Sequence, residues 1–132
     1  MNDEIQNIIR QSSFIIEEGC FVYVKVAEVP VAGSYFMVTH DADEITVVTR
    51  EENLGTLKVI ERNKDRYCLI ALHVSIPFYS VGFLAAVSEA IACEGMNILI
   101  VSTYSKDYIL VRYDYMEKAK AVLLKLGFKE IR

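Results

Sequence analysis

The order of hydrophobic patterns between residues 67 and 131 is the feature that most constrains the fold. Residues 67–74 (YCLIALHV) are predicted to form a strand, and residues 96–103 and 108–113 are predicted to form a hairpin. Between them we expect an amphipathic helix that starts at Ser80 and ends at Gly95. The residues that fall on one face of this helix are Val81, Leu84, Ala85, Ser88, Ile91 and Ala92.

A second helix and a short last strand are predicted after the hairpin. Asp114 and Glu117 have the spacing of a capping box. An apolar stripe follows and stops at Gly127, and residues 128–131 form the last strand. The stripe consists of Met116, Ala119, Leu123 and Leu126. The resulting order, βαββαβ, predicts an α+β, ferredoxin-like fold, with a four-stranded antiparallel sheet and both helices on one face.

The strands of this predicted sheet are apolar on both sides. Ile70 and Leu72 alternate with Leu69 and Ala71, so that neither face of the strand is polar. Because a face in contact with water should carry polar residues, something must cover the second face or extend the sheet. We therefore expect close packing against another similar unit.

The N-terminal half supplies a candidate for that unit. Ile5, Ile8 and Ile9 have the spacing of a short amphipathic helix. The strand-like segments that follow are residues 14–16, 20–26, 35–38, 44–49 and 56–60. The N-terminal half resembles a degenerate copy of the C-terminal half in which one helix has shrunk to residues 29–34. The polar run RNKDR at 62–66 marks a boundary, so the expected domains are residues 1–63 and 66–132.

Composition excludes several classes of function. The net charge of −4 argues against affinity for nucleic acid, which requires clustered basic residues. No apolar run is long enough to span a membrane, and the acidic N-terminus is not typical of a signal peptide, so we expect a cytoplasmic protein. A ferredoxin-like RNA-binding module is a topological alternative, but DYILVRYDY lacks the glycine and spacing that its central strand would need.

Metal and cofactor sites are not indicated either. The three cysteines are far apart and suit reduced thiols, and the two histidines lack the close spacing of zinc ligands. His40 is expected in a hairpin turn with Asp41 and Asp43. No catalytic triad or phosphate-binding loop can be assembled, so the sequence predicts neither an enzyme nor a bound cofactor.

Two loops form the outline of a pocket for a small polar ligand. One loop exposes backbone amides at residues 80–83, and the other presents Thr103, Tyr104 and Asp107. Each has a simpler interpretation: Ser80 is a typical helix cap, and Asp107 is typical of a hairpin turn. Tyr104 and Tyr108 are equally typical of interface packing.

Three segments resemble the tandem ACT-domain proteins, in the small two-domain branch that includes the CASTOR arginine sensor. They are GSYFMVTHDADEITVVTREE, FYSVGFLAAVSEAIACEGMNI and, most specifically, VSTYSKDYILV. The resemblance implies two ferredoxin-like ACT domains in tandem, with the N-terminal one degenerate and rich in strands. It also implies dimeric or tandem pairing and the binding of an amino acid or a similar metabolite between domains.

The resemblance further implies which residues contact the ligand. Its carboxylate would face the backbone amides of Ser80, Val81, Gly82 and Phe83. The second group, which corresponds to a motif S-T-[YF]-x-x-D, is Ser102, Thr103, Tyr104 and Asp107. Asp107 would pair with an ammonium or guanidinium group. Lys106 stands where the arginine-binding relative has an aromatic residue, which favours a smaller or acidic ligand.

Two functions are consistent with these observations. In the first, the protein is an allosteric metabolite sensor, in which an amino acid bound at an ACT-domain interface shifts the arrangement of a homodimer and so regulates a partner protein. In the second, the domains bind no ligand and serve as a dimerisation or adaptor module.

Overall fold

The computed structural model describes residues 3–33, 35–74 and 81–131. The chain forms two compact units. Residues 1–17 and 68–132 make up the first, which we call the split unit, and residues 18–67 make up the second, which we call the inserted unit. The predicted boundary at 63–66 falls near one junction, whereas the first 17 residues lie with the C-terminal segment. The division into domains 1–63 and 66–132 stays a prediction.

The helices and strands follow the predicted alternation along most of the chain. In chain order they are α1 (Asp3–Arg10), β1 (Ser13–Ile16), β2 (Phe21–Val26), β3 (Met37–His40), β4 (Ile45–Arg50), β5 (Val59–Arg62), β6 (Tyr67–His73), α2 (Phe83–Ala92), β7 (Leu99–Ser102), β8 (Asp107–Arg112), α3 (Met116–Leu126) and β9 (Lys129–Glu130). Short 3-10 helices cover Glu51–Thr56 and Tyr113–Tyr115.

The inserted unit is a four-stranded antiparallel sheet in the order β5-β2-β4-β3. Its small core lies on one face and is built from valines, namely Val22, Val24, Val26 and Val47. No α-helix occurs among its described residues, and residues 27–33 form bends and a turn where a shrunken helix was expected. The predicted hairpin turn is confirmed, since Asp41 Oδ1 accepts hydrogen bonds from the amides of Asp43 and Glu44, each at 2.9 Å.

The split unit has a five-stranded mixed sheet in the order β9-β1-β6-β8-β7. The prediction of four antiparallel strands is therefore wrong in one respect: β1 lies between β6 and β9 and pairs with β9 in parallel. The reason is that β1 brings Phe14 into the core, where it is fully buried and its ring lies 6.5 Å from that of Phe128. An N-terminal strand thus extends the sheet.

The two longer helices cover one face of this sheet. The apolar stripe predicted for α3 is confirmed, because Ala119 and Leu123 are fully buried. The face predicted for α2 is confirmed in part: Ile91 is buried as expected, but Phe83 and Val87 complete the buried row, whereas Val81 is 89% exposed. Spacing of four residues places Phe83, Val87 and Ile91 in one row, and all three belong to the core of this unit.

The ends of the helices differ from the predictions in part. The capping box is wrong, because Tyr115 occupies the N-cap of α3 and Asp114 instead pairs with Arg112 at 3.4 Å. The predicted stop at Gly127 is confirmed, since the amide of Phe128 donates to the carbonyl of Leu123 at 3.1 Å, closing the last turn.

Among the described residues, no helix is long and apolar enough to cross a membrane. In the same residues, no three His, Cys, Asp or Glu side chains are grouped so that they could hold a metal ion. The three cysteines are free; Cys68 is buried and Cys93 is exposed.

Candidate functional site

The order of elements in the split unit brings the start of α2 and the β7–β8 hairpin to one end of the sheet. β6 ends at His73, and α2 begins at the same end and runs back along the sheet. β7 therefore starts at the opposite end, and the turn at residues 103–106 returns to the end where α2 begins. Of the predicted site residues, Ser80 lies outside the described residues.

Gly82 sets the start of α2. It occupies the N-cap with φ 86° and ψ −2°, a left-handed conformation that glycine adopts without steric cost. Its carbonyl accepts the first helical hydrogen bond, from the amide of Ala86 at 3.0 Å. Because glycine has no side chain, Gly82 gives the first amides of the helix no side-chain cap. Free amides at a helix N-terminus attract anionic groups, and the binding of a ligand by this segment stays a prediction.

The two residues beside Gly82 have opposite environments. Phe83 is 2% exposed, and its ring lies 5.9 Å from that of Phe128, in an edge-to-face contact. Its side chain therefore belongs to the core. Val81 is exposed and points away from the core. The buried ring of Phe83 fixes the position of the first turn of α2.

An open groove of about 400 Å³ runs along the start and outer face of α2. Its lining includes Val81 and Gly82 just before α2, Ala85 and Glu89 from α2, and Ile5 from α1. A Cβ atom added at Gly82 would lie 3.9 Å from Cδ1 of Ile5, which is an ordinary contact distance. The contribution of Ile5 to this groove was missed from the sequence. Its helical spacing with Ile8 and Ile9 was visible, but α1 was assigned to the other domain.

The hairpin is held by hydrogen bonds among four of its own residues. Ser102 and Asp107 are directly opposite each other on β7 and β8, and Ser102 Oγ donates to Asp107 Oδ1 at 2.6 Å. The amide of Thr103 donates to the carbonyl of Lys106 at 2.8 Å, and Thr103 Oγ1 accepts from the amide of Lys106 at 3.3 Å. These bonds close the turn and fix the direction of the side chains that flank it.

Asp107 and Tyr104 differ sharply in exposure. Asp107 is 5% exposed. A carboxylate is rarely so buried unless it has a partner, and here the Ser102 hydroxyl donates a hydrogen bond to it. Tyr104, at the tip of the turn, is 88% exposed. Turn chemistry, the simpler interpretation, therefore accounts for Ser102, Thr103 and Asp107 as they stand. The part they play in binding a ligand stays a prediction.

The predicted site residues thus form two groups at one end of the split unit. Val81, Gly82 and Phe83 form the first, at the start of α2, and the hydrogen-bonded residues of the hairpin form the second. The first group offers backbone donors, and the second holds a carboxylate. Backbone N–H donors complement an anionic group, and a carboxylate complements a cationic one.

Comparison with solved structures shows which proteins share this fold. A Vibrio cholerae protein described as being of unknown function and a possible transport protein matches with a TM-score of 0.76 and 20% identity, over 94% of this chain and 96% of that one. The regulatory subunit of aspartate kinase from Thermus flavus matches with a TM-score of 0.62 and 11% identity, over 86% of this chain and 96% of that one. The ligand-free regulatory subunit of aspartate kinase from Thermus thermophilus matches with a TM-score of 0.58 and 10% identity, over 87% of this chain and 95% of that one.

Comparison at the level of sequence gives a family match for part of the chain. No curated protein sequence matches it. The family model that matches is the ACT domain, over residues 63–125. This segment includes β6, α2, β7 and β8, and therefore both groups of the candidate site. The fold is thus a ferredoxin-type α+β fold like that of ACT domains, and residues 63–125 match the ACT domain family.

Proposed function

We propose that this protein is an amino-acid-binding regulatory protein that works as an allosteric metabolite sensor. The observation that carries the proposal is the match of residues 63–125 to the ACT domain, with both candidate groups inside the matched segment. The fold shared with regulatory subunits of aspartate kinase supports a regulatory role rather than a catalytic one. We expect it to act in the cytoplasm, as a homodimer.

The proposal treats the inserted unit as a second, degenerate ACT domain. Its strand order, β5-β2-β4-β3, is the 4-1-3-2 order of a ferredoxin-like sheet when its four strands are numbered along the chain. A turn replaces the first helix of that fold, and the 3-10 helix Glu51–Thr56 stands in the place of the second. The resemblance of VSTYSKDYILV to the CASTOR branch supports the same tandem arrangement.

The ligand is assigned a carboxylate and a positively charged group. We place the carboxylate at the amides of residues 80–83, where Gly82 leaves the backbone uncovered. We place the positive group at Oδ2 of Asp107, because Oδ1 already accepts the Ser102 hydroxyl. Lys106, adjacent to this carboxylate, favours a small or acidic amino acid over arginine.

A second function, a dimerisation or adaptor module without a ligand, is favoured by one observation. The carboxylate of Asp107 is buried and accepts a hydrogen bond from the Ser102 hydroxyl of its own hairpin. Under this alternative, the hairpin needs Asp107 for its own geometry, and the protein forms a stable dimer that no metabolite stabilises.

Thermal unfolding in the presence of each of the twenty amino acids separates the two functions. A ligand present at 100 times its dissociation constant adds about 2.7 kcal/mol to the free energy of unfolding. Asp107→Asn should abolish the response, whereas Asp114→Asn, which removes an exposed charge in the same unit, should preserve it. A dimer by light scattering that no amino acid stabilises would support the adaptor module and reject the sensor.

A further inference from the structure

Three arginines of the inserted unit converge on one short segment. The arginine cluster consists of Arg50, Arg62 and Arg66. The carboxylate of Glu51 accepts a hydrogen bond from Arg62 and lies 3.3 Å from the guanidinium of Arg66. The amide of Glu51 donates to the carbonyl of Cys20 at 2.9 Å, so the backbone of Glu51 lies beside the residue that precedes β2.

Arg50 is held at the same place by different contacts. Its guanidinium carbon lies 5.8 Å from the centre of the Phe21 ring, in a cation–π arrangement. A Cβ atom added at Gly19 would lie 3.1 Å from Nε of Arg50, so the arginine side chain packs closely over Gly19. Gly19 also has φ +102°, which disfavours any other residue there. The guanidinium of Arg50 is therefore positioned before any ligand arrives.

Arg66 contacts the same segment at Cys20. Its guanidinium interacts with the Cys20 side chain and with Glu51, and these two interactions, in that order of size, raise the pKa of Arg66. The hydrogen bond from Arg62, in turn, is the main cause that lowers the pKa of Glu51. Both ion-paired side chains remain accessible, with 35% of Arg62 and 51% of Arg66 exposed.

The cluster has more positive charge than its bound carboxylate neutralises. Arginine stays protonated at any physiological pH, so the guanidinium groups of Arg62 and Arg66 bring two positive charges to the single carboxylate of Glu51. Arg50, beside Phe21, adds a third positive charge to the cluster. Each guanidinium presents a planar fork of N–H donors that matches the oxygens of a carboxylate or a phosphate. We propose that the arginine cluster is an oxyanion-binding site, at which Glu51 occupies the position that a ligand carboxylate or phosphate takes over.

Binding of inorganic phosphate and of citrate, measured by calorimetry at constant ionic strength, tests this proposal. Arg50→Gln and Arg66→Gln should each weaken binding about tenfold or more, because each removes hydrogen bonds to a charged group. Glu51→Gln should strengthen binding, since it removes the competing carboxylate. Preference for phosphate or for citrate identifies which oxyanion the site takes.

Matched controls separate a built site from general electrostatic attraction. Lys64→Gln and Glu52→Gln make the same charge changes next to the cluster, and both should leave the affinity within about twofold of the wild type. Equal effects of Lys64→Gln and Arg66→Gln, or no saturable binding by the wild-type protein, would overturn the proposal. Unfolding curves without anion establish that each variant is folded. Because Asp107 lies in the split unit, Asp107→Asn should leave phosphate binding unchanged, so this test is independent of the amino-acid site.

Discussion

The hydrogen bond between Ser102 and Asp107 should have a measurable and asymmetric effect on stability. It joins a hydroxyl donor to a carboxylate at 2.6 Å, and Asp107 is buried while Ser102 is exposed. Ser102→Ala leaves a buried carboxylate oxygen without its partner, which costs about 1–3 kcal/mol. Asp107→Asn keeps the shape and an accepting oxygen, so we expect a smaller loss of about 1 kcal/mol.

A double-mutant cycle isolates the interaction between these two side chains. If the bond forms in solution, Ser102→Ala should cost less in the Asp107→Asn background, with a coupling energy of about 1 kcal/mol. Urea unfolding followed by circular dichroism gives the four free energies. The eight tyrosines provide a second probe, and coincident curves from the two probes establish that the transition has two states.

Ser105→Ala is the matched control, since Ser105 is an exposed serine in the same turn. It should change stability by less than about 0.5 kcal/mol. If Ser102→Ala costs no more than Ser105→Ala and the coupling energy is zero, the bond contributes nothing in solution. The Ser102 hydroxyl would then not account for the burial of the Asp107 carboxylate.

Three further predictions test the fold around the site. Leu123→Ala should destabilise by about 2–5 kcal/mol, because Leu123 is fully buried, whereas Leu124→Ala, at a position 45% exposed, should cost far less in urea unfolding. Gly82→Ala should cost about 1–2 kcal/mol through its left-handed backbone alone, and Gly55→Ala, which meets no neighbour within 4 Å, should cost much less. Hydrogen bonds from backbone amides lower the pKa of Asp41. Its contribution to stability is therefore present above the unfolded-state pKa and is lost as the pH falls through the folded-state pKa. A carboxyl titration by NMR that gives Asp41 an ordinary or raised pKa would contradict this prediction.

Local patterns in the sequence were sufficient to predict most elements, because each is specified by residues close to one another. The stripe of α3 and its end at Gly127 follow from helical spacing and from glycine at the C-cap. The neighbour of β9 could not be predicted in this way, since strand pairing depends on contacts between distant segments. The face of α2 was predicted only in part: Ile91 is buried as expected, but the buried row runs through Phe83 and Val87 at a spacing of four residues and leaves Val81 exposed.

The candidate site was predictable to a similar extent. The glycine before α2 and the hydrogen-bonding residues of the hairpin were found from the sequence, because both are signals of local backbone geometry. The arginine cluster was not found, although RNKDR at 62–66 was predicted to be a polar boundary. Its three arginines come from β4, from β5 and from the segment before β6, so only the fold brings them together.

The segment that matches the ACT domain is smaller than the unit that must fold to form the candidate site. The match covers residues 63–125, yet Phe128, which packs against Phe83, lies beyond its end. Ile5, which lines the groove beside Gly82, lies far before its start, and β1 separates β6 from β9 in the sheet. Because these contacts fix the first turn of α2, a fragment limited to the matched residues would lack part of the support for its own site. The contacts that support the start of α2 therefore extend beyond the matched segment, to Ile5 in the N-terminal helix and to Phe128 just before β9.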